Sequence, residues 1–307
     1  MIQQHTLSRQ TFPSPLALLR RAAILCLMLV VAGCSTTSTL EPPAPVNLPG
    51  PASRYSELVI DASTGATLQQ IDSRATRYPA SLTKMMTLYL LFEALDQGRI
   101  TKSSQIPVSA NAARQPPSRL GLKAGQTIDV ETAIEALAVK SGNDTAVAVG
   151  EFLGGGSEEQ FARQMTARAR QLGMSATTFR NASGLPDDEQ RTTARDMAVL
   201  GLALRSRFPQ HFHYFSKREF TFNGRTIRGH NDLLGRVPGV DGIKTGYIRA
   251  SGYNIVTSVT RGSRRLIIVV MGADSARARN AQVEVLIDKY MAQPSSDGML
   301  GALFSKN

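Results

Sequence analysis

The chain has 307 residues, 42% of them apolar and 19% charged, which is enough for one large core or two small ones and too apolar for a disordered chain. Its formal net charge of +11 suits an anionic polymer or a membrane face, while nucleic acid is set aside because there is no tryptophan and no aromatic-basic motif. The two cysteines, Cys26 and Cys34, both lie in the first tenth or so of the chain, so the rest can form no disulfide and no cysteine zinc site.

Arg20-Arg21 precede an apolar run over 22–32 that is too short to span a bilayer permanently but suits the hydrophobic region of a signal peptide. It ends in Val31-Ala32-Gly33-Cys34, which resembles a bacterial lipobox: cleavage before Cys34 leaves its thiol to carry diacylglycerol. The alternative is an ordinary signal peptide with an incidental cysteine. Removing 1–33 takes away three arginines and no acids, leaving +8. Residues 35–52 are rich in Ser and Thr, then in Pro, and read as a tether. The expected organisation is a signal peptide over 1–33, a lipidated tether over 34–52, a catalytic domain over 53–292 and a short tail over 293–307. Ser35 in place of aspartate favours the outer membrane for an exported, periplasmic-side lipoprotein.

Two strands are expected at 57–62 and 66–72, around the turn Ser63-Thr64-Gly65. From Ser81 the period becomes helical, with Leu82, Met85, Met86, Tyr89 and Phe92 on one side and Gly98 as the stop. Asp129 caps a helix over 130–140, and a third helix runs over 144–152. Ser157 with Gln160 reads as a capping box for a fourth helix closed by Gly173, and Thr193 with Asp196 opens a fifth to about 207. Strand signals return at 219–222 and 226–228 around Asn223-Gly224, then at 253–260 and 266–271, before a last helix over 275–291. This order predicts one sheet fed from both ends of the chain, with a helical lobe inserted. His211 and His213 are spaced to share one face of a strand, but no third ligand stands at a metal-site spacing, so they read as surface or core residues.

Three short strings carry chemistry. Ser81-Leu82-Thr83-Lys84 places a hydroxyl at a helix start with a lysine on the same face, three residues on. To act as a base Lys84 must be neutral, and burial or a nearby cation such as Lys244 would lower its pKa from the free value of about 10.4. Ser141-Gly142-Asn143 adds a second hydroxyl and an amide between two helices. Lys244-Thr245-Gly246 falls where a strand is expected to begin, with Gly246 leaving room for a ligand backbone. At average composition a chain of this length holds roughly one Ser-x-x-Lys by chance, so the ordered trio, not any one string, is the signal. Together they equip a serine acyl-transferase that uses no histidine.

The three strings resemble the SxxK, SxN and KTG motifs of the penicillin-recognising serine enzymes. The segments Pro79 to Thr87, Val139 to Asp144, Asp241 to Gly246 and Ser251-Gly252-Tyr253-Asn254 narrow the resemblance to the D-alanyl-D-alanine carboxypeptidases among the low-molecular-mass penicillin-binding proteins. The resemblance spans about 53–292. It implies an α+β fold of the β-lactamase/DD-peptidase type: an antiparallel sheet packed by N- and C-terminal elements, with an inserted helical lobe. It implies Ser81 as the nucleophile toward the penultimate D-alanine of a peptidoglycan pentapeptide, Lys84 as its base, Ser141 as the proton relay and Asn143 as the orienting amide. Lys244 and Thr245 would hold the terminal carboxylate beside Gly246, and the N–H groups of Ser81 and Tyr247 would form the oxyanion hole, typically worth about 3–4 kcal/mol per donor. Arg249 is either a further carboxylate contact or a solvated side chain. His230 to Leu234 resembles a supporting loop of the family. No cofactor or metal is implied; β-lactams are expected as covalent inhibitors, and the N-terminal lipid as the link to the membrane.

Many relatives carry a second β-rich domain and a C-terminal amphipathic anchor, whereas about fifteen residues follow the last helix here. A DD-endopeptidase of the same family therefore stays open. A β-lactamase is disfavoured because Asn181 to Asp187 lacks the Glu-x-x-Leu-Asn pattern. A penicillin- or peptidoglycan-binding sensor lipoprotein is disfavoured because a binder has no need of Lys84.

Overall fold

The structure is a computed structural model that describes residues 54–292. The leader, the lipidation expected at Cys34, the tether and the C-terminal tail lie outside the described residues. Among the described residues, no helix is long and apolar enough to cross a membrane.

Chain order is strands, helices, strands and a closing helix, as expected. The strands β1 (Ser56–Asp61) and β2 (Thr67–Ile71) form the first hairpin. A tight 3₁₀ turn, Ala80–Thr83, leads into α1 (Lys84–Asp96). Next come β3 (Gln105–Pro107), α2 (Ala110–Ala113), β4 (Thr127–Asp129) and α3 (Val130–Glu135). The lobe continues with α4 (Asn143–Leu153), α5 (Glu158–Gln171) and α6 (Ala194–Arg207). The remaining elements are β5 (Glu219–Phe222), β6 (Arg225–Arg228), β7 (Val240–Ile248), β8 (Gly252–Arg261), β9 (Arg264–Ala273) and α7 (Ala276–Met291).

The main sheet has the order β2-β1-β9-β8-β7 and every neighbouring pair is antiparallel. The first and last strands of the described residues, β1 and β9, therefore pair within the sheet. Strand side chains alternate between faces. From β9, Ile267, Val269 and Met271 enter the large core under the helical lobe, while Leu266, Ile268 and Val270 pack with Val283, Leu286 and Ile287 of α7. Cover on both faces explains why these strands read as unbroken Val/Ile runs. At the heart of the lobe, α1 is buried on nearly every side, Met85, Met86, Leu88, Tyr89, Leu91 and Phe92 having no solvent exposure.

Several expectations are corrected. The hairpin at Asn223-Gly224 forms, both turn residues having positive φ, but β5 and β6 make a separate two-stranded sheet. The helix expected over 130–140 keeps regular form only to Glu135, then widens to π-type turns over Ala136–Lys140 that end at Ser141. Ser157 and Thr193 do cap their helices, accepting from the N–H groups of Gln160 and Asp196. The reciprocal half of the box expected at Ser157 does not form among the described residues: the Gln160 side chain accepts from Arg163, while Asp196 accepts from Ala176 N–H and Thr177. The segment with His211 and His213 is a short 3₁₀ turn, not a strand; His211 is hydrogen-bonded to Asp96 at 2.8 Å and stacked on Phe92, and His213 is exposed. The short β3–β4 pair was not foreseen, since three residues are too few to establish a period of two.

Asn254 of β8 ties sheet to lobe. Fully buried, it donates to the carbonyls of Tyr78 at 3.1 Å and Pro79 at 3.3 Å, and accepts from Gly272 N–H at 2.9 Å. Removing a buried group that satisfies several partners leaves them unpaired, at about 1–3 kcal/mol. Asn254→Ala is accordingly expected to lower unfolding stability in urea by about 3 kcal/mol, and to slow reactions at Ser81, two residues beyond Pro79.

Candidate active site

The nucleophile and its lysine sit at the junction of the 3₁₀ turn and α1. In a 3₁₀ turn residues three apart eclipse one another, so Ser81 and Lys84 project together. The Ser81 hydroxyl lies 3.1 Å from Lys84 Nζ. Lys84 is fully buried, and its Nζ also lies 2.7 Å from Asn143 Oδ1 and 2.5 Å from the carbonyl oxygen of Ser183. Both of these partners accept only, so a neutral amine places its two N–H groups on them and turns its lone pair to Ser81 O–H. Asn143 is itself oriented, since its Nδ2 donates to Pro116 O at 2.9 Å, which fixes Oδ1 toward Lys84.

Electrostatics favour the neutral amine. Burial holds the pKa of Lys84 well below the ordinary lysine value, and the charge of Lys244 lowers it further, against the weaker pull of Asp144 and Glu158. Lys244 is pushed down to about 7, by burial and then by Arg279. The site thus holds two buried lysines, both with pKa values below the ordinary lysine range.

Two glycines allow the close approach on which this geometry depends. Gly184 has φ +86°, and a Cβ there would stand 1.8 Å from the carbonyl oxygen of Ala80; its closeness sets the neighbouring Ser183 carbonyl onto Lys84. A Cβ on Gly246 would lie 3.0 Å from the backbone nitrogen of Ser81, so β7 runs directly along the nucleophile. Strain gathers nearby: Ala80 and Ser141 are non-glycine residues with φ of 49° and 62°, each costing about 1–2 kcal/mol. Ser141 Oγ is buried with no hydrogen-bond partner among the described residues.

A cavity of about 480 Å³ is lined by Ser81, Ser141, Asn143, Thr245, Gly246 and Tyr247. Of the remaining expected residues, Lys84 lies beneath it and Lys244 is buried in β7 beside it. Contrary to expectation, Lys244 is at the middle of its strand, not the start. Arg249 is exposed in the turn after β7 and lines neither this cavity nor its neighbour; its carbonyl accepts from Arg54. Arg279 of α7 takes the wall position instead, 3% exposed and held by Asn280 Oδ1 and the Asn254 carbonyl. Burial lowers its pKa to about 10, with Asp232 and Tyr253 opposing. The signal for Arg279 was present, since it precedes Val283 and Ile287 at four-residue steps on the inward stripe of α7. Sequence reading also missed Pro117 and Ser118, which line the cavity opposite β7. Buried Asp144 secures that loop by accepting from the N–H groups of Leu120, Gly121 and Leu122.

Residues 48–275 match the family model described as D-alanyl-D-alanine carboxypeptidase. The chain is 36% identical over 243 residues to D-alanyl-D-alanine carboxypeptidase DacF of Bacillus subtilis, covering 78% of this chain and 62% of that protein. It is 37% identical over 237 residues to DacD of Escherichia coli, covering 75% and 61%. The chain thus spans about six tenths of the length of these curated relatives. Among solved structures, penicillin binding protein 5 from Haemophilus influenzae superposes with a TM-score of 0.75 at 33% identity, covering 81% of this chain and 73% of that one. Penicillin-Binding Protein D2 from Listeria monocytogenes, in its cefotaxime-bound form, gives 0.70 at 30% identity, covering 78% and 98%.

With Lys84 as the base toward Ser81 and Lys244 as a carboxylate contact, acylation is expected to depend on pH from both sides. As pH falls through the lowered pKa of Lys84, the amine is protonated and the base is lost. As pH rises past about 7, Lys244 loses its charge and with it attraction for a carboxylate. The second-order rate of Ser81 acylation by a carboxylate-bearing acyl donor is expected to be bell-shaped, with its alkaline limb near pH 7. Lys244→Arg should move that limb upward, because arginine keeps its charge.

Proposed function

The chain belongs to the D-alanyl-D-alanine carboxypeptidase family, and we propose that it removes the terminal D-alanine from peptidoglycan stem peptides through an acyl-enzyme on Ser81. The observation that carries this reading is the hydrogen bonding of Lys84, whose two acceptor partners leave a lone pair for the Ser81 hydroxyl.

In the proposed reaction, Ser81 Oγ attacks the carbonyl carbon of the penultimate D-alanine as Lys84 takes the hydroxyl proton. Charge on the carbonyl oxygen is met by the N–H groups of Ser81 and Tyr247. The support for this pairing is the close packing of Gly246 against Ser81 nitrogen. Ser141, whose hydroxyl has no hydrogen-bond partner among the described residues, gives its proton to the leaving nitrogen and is reprotonated from Lys84, the C–N bond breaks, and D-alanine departs. Water then attacks the ester as Lys84, neutral once more, accepts its proton; the bond from the acyl carbon to Ser81 Oγ breaks and Lys84 returns that proton to Oγ. Lys244, Thr245 and Arg279 hold the substrate carboxylate. Lys244 and Arg279 are both buried, which strengthens their attraction for an anion. Penicillins carry a reactive amide and a carboxylate at comparable positions and acylate Ser81 in the same manner.

The protein acts outside the cytoplasmic membrane, held by a lipid on Cys34. The apolar run over 22–32 and the small residues before Cys34 support this placement.

Mass analysis of peptidoglycan fragments after incubation tests the reaction. Wild type should remove one alanine from pentapeptides and Ser81→Ala should remove none; equal products from both would take Ser81 out of the mechanism. For the anchor, Cys34→Ser is expected to lose metabolic labelling with a fatty-acid analogue and to release the protein from the membrane fraction. Labelling that persists in the variant would exclude Cys34 as the attachment point.

A further inference from the structure

A second cavity, of about 590 Å³, adjoins the one that holds the nucleophile. The two share Gly229, His230, Asp232 and Thr245, so they are contiguous. Ser81 and Ser141 border only the smaller, whereas Ile243 and Lys244 border only the larger. Going back along β7 from Gly246, which touches Ser81, the path passes Thr245 and Lys244 and enters the larger space. Whatever occupies it lies beyond the groups proposed to hold the substrate carboxylate, on the side of the departing residue. A D-alanine methyl group leaves nearly all of that volume unused.

The walls are polar and mainly cationic. Lys217, Arg218, Arg228 and Arg236 line the cavity against the acids Glu219 and Asp232. Three of these cations have carboxylate partners: Lys217 pairs with Glu135, Arg228 with Glu219 and Arg236 with Glu284. Arg218 has no carboxylate partner among the described residues. Its guanidinium lies across Gly235, where a Cβ would come within 2.9 Å of Nη1. The glycine therefore makes room in the cavity wall for an exposed guanidinium that no acid among the described residues pairs with. A planar fork of N–H donors in such a position recognises a carboxylate.

We propose that this cavity is a subsite for the side chain of the substrate's C-terminal residue, and that Arg218 makes it select a side chain ending in a carboxylate. The inference rests on the proposed reaction at Ser81 and extends it to the chemistry of the leaving residue: besides D-alanine, the enzyme releases D-residues with a long acidic side chain. Bonds made and broken are those of the parent reaction, and only the departing amine differs.

The test uses the whole protein and N-acylated tripeptides ending in D-Ala-D-Ala, in D-Ala-D-aminoadipate or D-Ala-D-glutamate, and in the side-chain amides of the last two. Each acid and its amide have nearly the same shape, so their ratio of kcat/KM reports charge recognition alone. Wild type is expected to favour acid over amide by about tenfold for at least one chain length, the scale of one charge-assisted hydrogen bond. In Arg218→Gln the ratio should fall to about one, and Arg218→Lys should retain part of it. Because each ratio is taken within one variant, a partly misfolded preparation does not distort it. Equal rates for acid and amide in wild type, or a preference that survives Arg218→Gln, would overturn the subsite while leaving the parent reaction intact. Failure to hydrolyse any of the peptides, D-Ala-D-Ala included, would overturn both.

Discussion

A buried lysine whose pKa is held well below the ordinary value is the constraint around which this site is built. An amine inside a protein loses its hydration, and protonating it there is costly unless an anion compensates. Around Lys84 the nearest partners are neutral, a side-chain amide and a main-chain carbonyl, while the nearby lysine is repulsive. Each partner is itself held in place: Asn143 by the Pro116 carbonyl, and Ser183 by the packing of Gly184 on Ala80. The lowered pKa of Lys84 is thus a property of chain segments that meet, and not of the Ser-x-x-Lys string alone.

Holding those segments together takes local strain and precise backbone contact. Ala80 and Ser141 adopt left-handed conformations, and Gly184 and Gly246 admit backbone where no side chain fits. The surrounding core supplies the rigidity that keeps such conformations. Strands β8 and β9 are buried on both faces, α1 is buried on nearly every side, and Asn254 joins the sheet to the segment before Ser81. Strain of a few kcal/mol persists only where the rest of the structure over-determines the backbone. The same rigidity fixes the relation of the two cavities, since a single strand, β7, carries groups that border both.

Much of the architecture was legible. Helix caps at Asp129, Ser157, Thr193 and Ser275 are local events between a side chain and an N–H two or three residues on, so the sequence carries them directly. Long apolar runs at 253–260 and 266–271 announced central strands. Less legible were features decided by competition between partners. The side chain of Gln160 left its expected box because Arg163, one turn further along the helix, offered an alternative donor. The pairing of β5 with β6 was visible in Asn223-Gly224, but their separation from the main sheet was not, because a hairpin turn says nothing about what its outer edges meet.

The sequence by itself determined the reactive groups, their order and the elements that carry them: a serine and lysine at a helical start, a serine and asparagine between helices, and a lysine and threonine on a strand. Those follow from spacing and local backbone preference, which act over a few residues. The tertiary structure alone decided the state and surroundings of each group. It made Lys84 a candidate base by burying it, put Arg279 and not Arg249 on the cavity wall by bringing the last helix against β8, and set Arg218, with no acid partner among the described residues, beside a second cavity. Desolvation and the approach of residues distant in sequence depend on packing between segments, and no local pattern encodes them.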